Sequence, residues 1–293
     1  MKSLLQITFF PLVLSSGLAA MLYAISAGWN LETSAMVISI VALAVIAAAE
    51  RIMPHDADWN RNQRDVSADL TSLAAIVAAL QPLTRLLTPI ATVAILRIIG
   101  KPDGLGWFPG DWPLLLQLPL FAVGVEFGKY WMHRLGHENA YLWRFHASHH
   151  SPKRIYWLNG FLLHPVNFLY AHFAGVFLML LTGAGIEVLL LHTVFEAIGA
   201  SFQHANIKLR HGFLSYIFST NEVHFWHHST KREEANTNYG ALLIVWDHVF
   251  RTYYRPTDRK QPAKLGIGYL PNYPVGRYWK QLVSPFCWKR CVM

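Results

Sequence analysis

Eight of the fifteen histidines fall into three tight sets: His133 and His137; His146, His149 and His150; His224, His227 and His228. Residues three or four apart on a helix share a face, so each set can direct its imidazoles at one point. Neutral imidazole suits zinc, copper, iron and nickel, and eight nitrogens exceed what one ion can bind, so the pattern implies two ions. Rings packed this closely without a cation would cost stability. No Glu-x-x-His or Asp-x-x-His occurs, which separates the chain from the carboxylate di-iron bundles and makes the ligands largely histidine. Arg134, Leu135 and Gly136 stand between His133 and His137, so the glutamate base of a His-Glu-x-x-His metalloprotease is missing.

The elements that must position these rings are apolar. The 293 residues are 53% hydrophobic and 14% charged, too apolar for an ordinary soluble domain, so an all-α, multi-span membrane protein is predicted. Spans of about 20 apolar residues are expected at Leu4–Ile25, Ser34–Ala49, Leu114–Tyr130, Phe161–Leu181 and Ile186–Phe202, the last two forming a hairpin through residues 182–185. A further apolar region, Leu70–Ile99, contains Pro82, Arg85 and Pro89, which kink one long span or split it into a re-entrant pair. The N-terminal run resembles a signal peptide, but its apolar character continues through residues 21–25, favouring an uncleaved anchor. With the N-terminus in the cytoplasm and the region Leu70–Ile99 crossing once, Arg51, Arg61, Arg64, Lys129, Arg134, Arg144, Lys153, Arg154 and the basic C-terminal third fall inside, and Lys101 outside. The histidines then form a cytoplasmic di-metal cap on the inner membrane of a bacterium or the endoplasmic reticulum of a eukaryote. The formal charge of +8 is dispersed in short polar stretches and forms no nucleic-acid-binding run. Cys287 and Cys291 are the only cysteines, so neither a disulfide framework nor a thiolate metal cage is expected. The organisation is read as membrane spans over 1–112, a catalytic domain over 113–255 and a cytoplasmic tail over 256–293.

The HxxxH, HxxHH, HxxHH order after membrane spans resembles the fatty acid hydroxylase and sterol desaturase superfamily, in a branch similar to alkylglycerol monooxygenase. The likeness includes Trp131 to Glu138, Trp143 to His146, His149 to Ser151, Phe202 to Asn206, and Asn238 to Gly240 through Trp246 and Asp247, within residues 116–254. It implies two irons, dioxygen as co-substrate, electrons from an external donor and a lipid substrate. His248 departs from the expected pattern and reads as a surface residue. His204, at the end of the last span and twenty residues before His224, is the candidate for a ninth ligand. His164 is a further ligand, a partner of one, or a structural residue at the membrane interface. Asn238 joins it as a candidate ligand or ligand partner. Glu126 and Tyr130 share a helical face with His133 and His137 and are expected to orient them. His172, Glu187, His192 and Glu196 lie in apolar segments, where ionisable groups face a cavity or each other; His192 and Glu196 have the spacing of a pair. His55 and His211 read as solvated, and Arg85 either snorkels or lines a cavity. Trp131, Trp143, Trp157 and Phe161 either shape a substrate entrance or belong to an interfacial aromatic belt.

The expected activity is dioxygen-dependent hydroxylation or desaturation of a sterol, fatty acyl, ether-lipid or related lipid at a histidine-ligated di-iron centre. No dinucleotide fingerprint, P-loop or haem-attachment motif is present, so reducing equivalents must come from a ferredoxin, a small cytochrome or, by the resemblance, a pterin. A basic cytoplasmic face would attract an acidic donor protein. The competing expectation is a metal transporter or metal-binding protein, which would distribute its ligands along a mid-membrane path.

Overall fold

The computed structural model of the chain describes residues 2–259 and 261–292, and among these the regular structure is helical, with three isolated β-bridges and no strand. The principal helices are α1 (Lys2–Ser26), α2 (Leu31–Ile52), α3 (Val66–Ile98), α4 (Leu114–Glu138), α5 (Ala140–His150), α6 (Pro165–Leu181), α7 (Ile186–Gln203) and α8 (Asn221–His227). Short helical turns follow α8. The chain is a helical membrane protein: α1, α2, α3 and α7 are each long and apolar enough to cross a bilayer. Large apolar side chains such as Leu12, Ile40, Leu86 and Ile90 are exposed, as lipid-facing surfaces require.

Two expected spans differ. Helix α4 has a 25-residue length, but Gln117, Glu126 and Tyr130 are buried within the protein, so much of its surface meets other helices. Helix α6 begins only at Pro165, after a 3₁₀ turn over Trp157–Phe161. Its 17 residues give about 26 Å, short of the roughly 30 Å hydrocarbon thickness. A tight turn does join α6 to α7, yet α6 packs on α4 while α7 packs on α1, α2 and α4. Close approach of α6 and α4 depends on Gly128, where a Cβ would come within 1.7 Å of the Ala174 carbonyl oxygen.

The proline-containing region is one continuous helix. Ile76–Leu80 form a π turn immediately before Pro82, and the wider turn accommodates the proline ring without ending the helix. Thr84 Oγ1 donates to the Gln81 carbonyl at 3.0 Å, re-engaging a backbone group beside it. Arg85 is exposed and 4.0 Å from Glu32.

The main core joins α1, α2, α4 and α7 through residues including Phe10, Ile46, Ala122 and Ile198, and continues to Leu242 and Leu243. A smaller core unites Ala68 of α3, Leu162 and Tyr278, so the C-terminal segment is packed into the helical body. Cys287 and Cys291, from which no disulfide framework is expected, are paired in one local disulfide across four residues; their spacing puts both on one side of a helical turn. The bridge staples only that terminal turn.

Arg154, expected as a loop cation, is instead buried. Its Nε and Nη2 donate to the two oxygens of Asp65 at 2.7 and 2.8 Å, and Nη1 donates to the Trp59 carbonyl at 2.6 Å. This fork ties the segment after α5 to the entrance of α3. Removing one partner of such a buried pair strands the other charge, so Arg154→Met is expected to cost about 3–5 kcal/mol, read as a lowered unfolding midpoint in detergent.

Candidate metal centre

The histidines come from four helix ends: His133 and His137 from α4, His146, His149 and His150 from α5, His204 from the residue after α7, and His224, His227 and His228 from α8 and its end. They form two groups, His133, His137, His146, His150 and His227 in one and His149, His204, His224 and His228 in the other; within each, one nitrogen per ring lies within 4.8 Å of all the others. Each HxxHH segment is therefore divided between groups instead of supplying one. Residues four apart are offset by about 40° around a helix, whereas neighbours are offset by about 100°. Accordingly His133 with His137, His146 with His150, and His224 with His228 stay together, while His149 and His227 cross to the opposite group. The groups adjoin, since the rings of His150 and His228 stack at 4.4 Å.

Hydrogen bonds on the far side of the rings fix their tautomers. His133 Nδ1–H donates to the Tyr239 carbonyl at 2.6 Å, and His227 Nδ1–H donates to the Thr237 carbonyl at 2.7 Å. Both Nε2 atoms are then bare lone pairs, and they face each other at 2.8 Å. Two acceptors at this distance repel unless positive charge lies between them. Burial, reinforced by neighbouring imidazoles, holds His146, His149, His150, His224, His227 and His228 well below the ordinary imidazole range, and His204 is pushed down to about 3, chiefly by burial. Protons are thus poor candidates for that charge, and neutral imidazoles are the form that ligates metal. The donor sets fit metal ions, with nitrogen ligands throughout and outer hydrogen bonds of the kind that orient ligating histidines.

Further orienting groups come from asparagines with no periodic relation to the histidines. His146 Nδ1–H donates to Asn167 Oδ1 at 2.7 Å, His137 Nδ1–H to Asn236 Oδ1 at 3.3 Å, and His204 Nδ1–H to Asn159 Oδ1 at 2.9 Å. Asn159 is itself fixed because its Nδ2 donates to the Arg154 carbonyl at 2.7 Å. These asparagines escaped the sequence reading because chain distance hides them.

Glu126 and Tyr130, expected to orient His133 and His137, have no hydrogen bond to either ring and act on them at one remove. Glu126 accepts from the Ala241 amide at 2.9 Å, while the Tyr130 hydroxyl meets Thr252 Oγ1 at 3.0 Å and accepts from Arg134 at 3.2 Å. They support the loop that carries the Thr237 and Tyr239 carbonyls. Asn238 has the same role: its Nδ2 donates to the Val223 and Tyr254 carbonyls at 3.0 and 2.7 Å, and its φ of 55° is one that asparagine tolerates. Asp247 accepts from the Tyr239 and Gly240 amides, both at 2.8 Å. The adjacent Asn-Tyr-Gly and Trp-Asp segments were the available sequence signal for this loop.

His164 lies outside both groups. Its Nδ1 accepts from the Val166 amide at 3.1 Å, capping α6, and Nε2–H donates to the Leu282 carbonyl at 3.2 Å; both nitrogens are occupied, so its structural alternative prevails. His211 is buried, not solvated, and its Nε2–H donates to Asn221 Oδ1 at 2.9 Å at the start of α8. His55 is partly buried against Trp59 and Phe225 and bonds Gln261. His248 is exposed, as expected, and Glu187 sits exposed in the first turn of α7. Trp143 borders the site, its ring 5.3 Å from that of His137 and 5.6 Å from that of His150. Trp131 instead packs on Tyr130 and Phe250, and Trp157 meets Phe161 at 6.5 Å. Because Asp247 holds two amides beside the carbonyl that orients His133, Asp247→Ala is expected to weaken metal retention by about 10–100-fold, measured by chelator competition on the folded protein.

The fatty acid hydroxylase family profile matches residues 118–252. Ornithine lipid hydroxylase OlsE of Rhizobium tropici is 32% identical over 279 residues, covering 94% of this chain and 82% of that protein. Alkylglycerol monooxygenase of Danio rerio is 28% identical over 177 residues, covering 58% of this chain and 37% of that protein. The Delta(7)-sterol 5(6)-desaturase erg3B of Aspergillus fumigatus is 26% identical over 153 residues, covering 48% and 40%. No solved structure matches the chain. The profile match contains all nine histidines of the two groups, and with a relative aligned over most of both chains, the protein belongs to the fatty acid hydroxylase family.

Proposed function

We propose that this protein is a dioxygen-dependent lipid hydroxylase that holds two irons, one in each histidine group, and acts on a membrane lipid with an amino-acid headgroup. The observation that carries the reading is the pair of adjoining all-histidine groups with bare, inward-facing nitrogens. Similarity to an ornithine lipid hydroxylase over 94% of this chain supports hydroxylation of a lipid of that class over desaturation. When bound, iron supplies the dioxygen and one-electron chemistry that protein side chains lack.

The chain's own residues supply position and dryness. Neutral imidazoles provide the donors, and the Asn159, Asn167, Thr237 and Tyr239 oxygens hold the rings in one orientation. Seven of the nine histidines are buried, whereas His133 and His137 are intermediate, so approach to the centre is along the α4 side. Lipid can enter there laterally with its chains still in the bilayer. The basic loops support a cytoplasmic site, on the inner membrane if the source is bacterial or the endoplasmic reticulum if eukaryotic, and electrons come from a ferredoxin, small cytochrome or pterin.

Purified protein under iron-replete, anaerobic conditions is expected to carry about two irons per chain and to consume oxygen only with reductant and ornithine lipid, placing label from dioxygen in a hydroxylated product. His149→Ala and His227→Ala, which disable different groups, should each abolish product formation. Zinc alone in the wild type, or ion flux in vesicles without oxygen uptake, would replace this assignment with metal transport or storage.

A further inference from the structure

Beneath the histidines lies a second polar cluster that the metal centre does not use. Lys129 of α4, expected on the cytoplasmic side, forms an ion pair with Glu196 of α7. His192 Nδ1 is 3.7 Å from Glu196 Oε2, while its Nε2 is buried without a partner. Across the cluster, His172 Nε2 meets Thr88 Oγ1 of α3 at 2.8 Å. Lys129 and His133 are four residues apart, and Glu196 and His204 eight. At 1.5 Å per residue the pair therefore lies about 6 Å along α4 from His133 and about 12 Å along α7 from His204.

An ion pair within a bundle of apolar helices is a poor device for stability, because desolvation offsets its attraction. This one also has unused capacity. The lysine side chain offers three donors and the Glu196 carboxylate a second oxygen, but the pair makes one mutual hydrogen bond. The Glu196 side chain is 31% exposed while that of His192 is 2% exposed, so the carboxylate is reached from the protein surface and the imidazole lies buried behind it. The π turn Phe173–Phe177 faces this region, and a Cβ at Gly175 would come 3.3 Å from Lys129 Cγ; a larger residue there would crowd the lysine stem.

We propose that Lys129, Glu196 and His192 form a recognition site for the charged headgroup of a zwitterionic lipid, with the lysine and imidazole receiving its acidic group and the glutamate its ammonium group. This deepens the lipid-hydroxylase reading and rests on it. Lys129, His133 and His137 follow one another at four-residue spacing on one face of α4, and His133 and His137 are the two part-exposed ligands, so a headgroup held by Lys129 is delivered next to the metal ligands while its acyl chains remain among the apolar helices.

The test is lipid competition on the purified, iron-loaded protein, using ornithine lipid, phosphatidylethanolamine and diacylglycerol with matched acyl chains, read by native mass spectrometry. Wild type should retain a zwitterionic lipid at least about tenfold better than diacylglycerol; ornithine lipid alone indicates an amino-acid headgroup, and equal retention of both zwitterions a general ammonium-and-acid site. Equal retention of diacylglycerol overturns the proposal without any variant. The exchanged pair Lys129→Glu/Glu196→Lys separates recognition from a merely structural ion pair: recognition predicts loss of the preference with iron content and unfolding midpoint retained, and wild-type preference in the exchanged pair would overturn it. Absence of oxygen uptake alongside an intact lipid preference would count against the hydroxylase reading and leave the binding site standing.

Discussion

Hydrogen bonds from imidazole Nδ1–H groups to fixed oxygens are the constraint on which the centre depends. They force Nε2 to be the bare nitrogen in His133 and His227 and aim both inward. Without those bonds each ring could exchange tautomers or rotate, and the inward lone pairs would have no reason to remain together. Much of the molecule around the site serves to immobilise the acceptors. Asp247, Glu126 and Asn238 hold the loop bearing the Thr237 and Tyr239 carbonyls, and Arg154 is bonded through its carbonyl to Asn159.

The membrane helices and the polar cap are therefore one mechanical unit. Helix α4 buries Glu126 to support the loop and presents His133 and His137 about two and three turns later. Helix α7 packs against α1 and α2 and ends at His204. Glu50, at the end of α2, accepts from the Trp157 and Asn206 amides, both at 2.7 Å, and so joins that helix to segments on either side of the centre. A bilayer supplies little hydrophobic drive for helix association, which gives these specific polar ties and close glycine contacts a correspondingly larger role.

The polar cluster around Lys129 and Glu196 differs in kind from these ties. The Arg154–Asp65 pair is enclosed and its guanidinium is engaged on three nitrogens, whereas the Lys129–Glu196 pair makes one mutual hydrogen bond and leaves its carboxylate part-exposed. Saturation marks the first as structural; spare hydrogen-bonding capacity, close to a centre reached along the same helix, marks the second as a place for a ligand.

The sequence by itself determined the helical membrane class and the existence of clustered imidazole ligand sets, because apolar length and four-residue periodicity are local properties of the chain. His204 was legible from its place at the end of an apolar helix. The division of each HxxHH segment between groups was decided only by tertiary structure, since helix rotation and the direction of three other helix ends choose which neighbour each ring meets. The same is true of the orienting oxygens: the Tyr239 carbonyl lies 106 residues from His133, and no local pattern reports that pairing. His164 looks like a ligand candidate in sequence, but its nitrogens are occupied by helix-capping and loop contacts. Local periodicity can make an imidazole available; three-dimensional packing decides what its two nitrogens face.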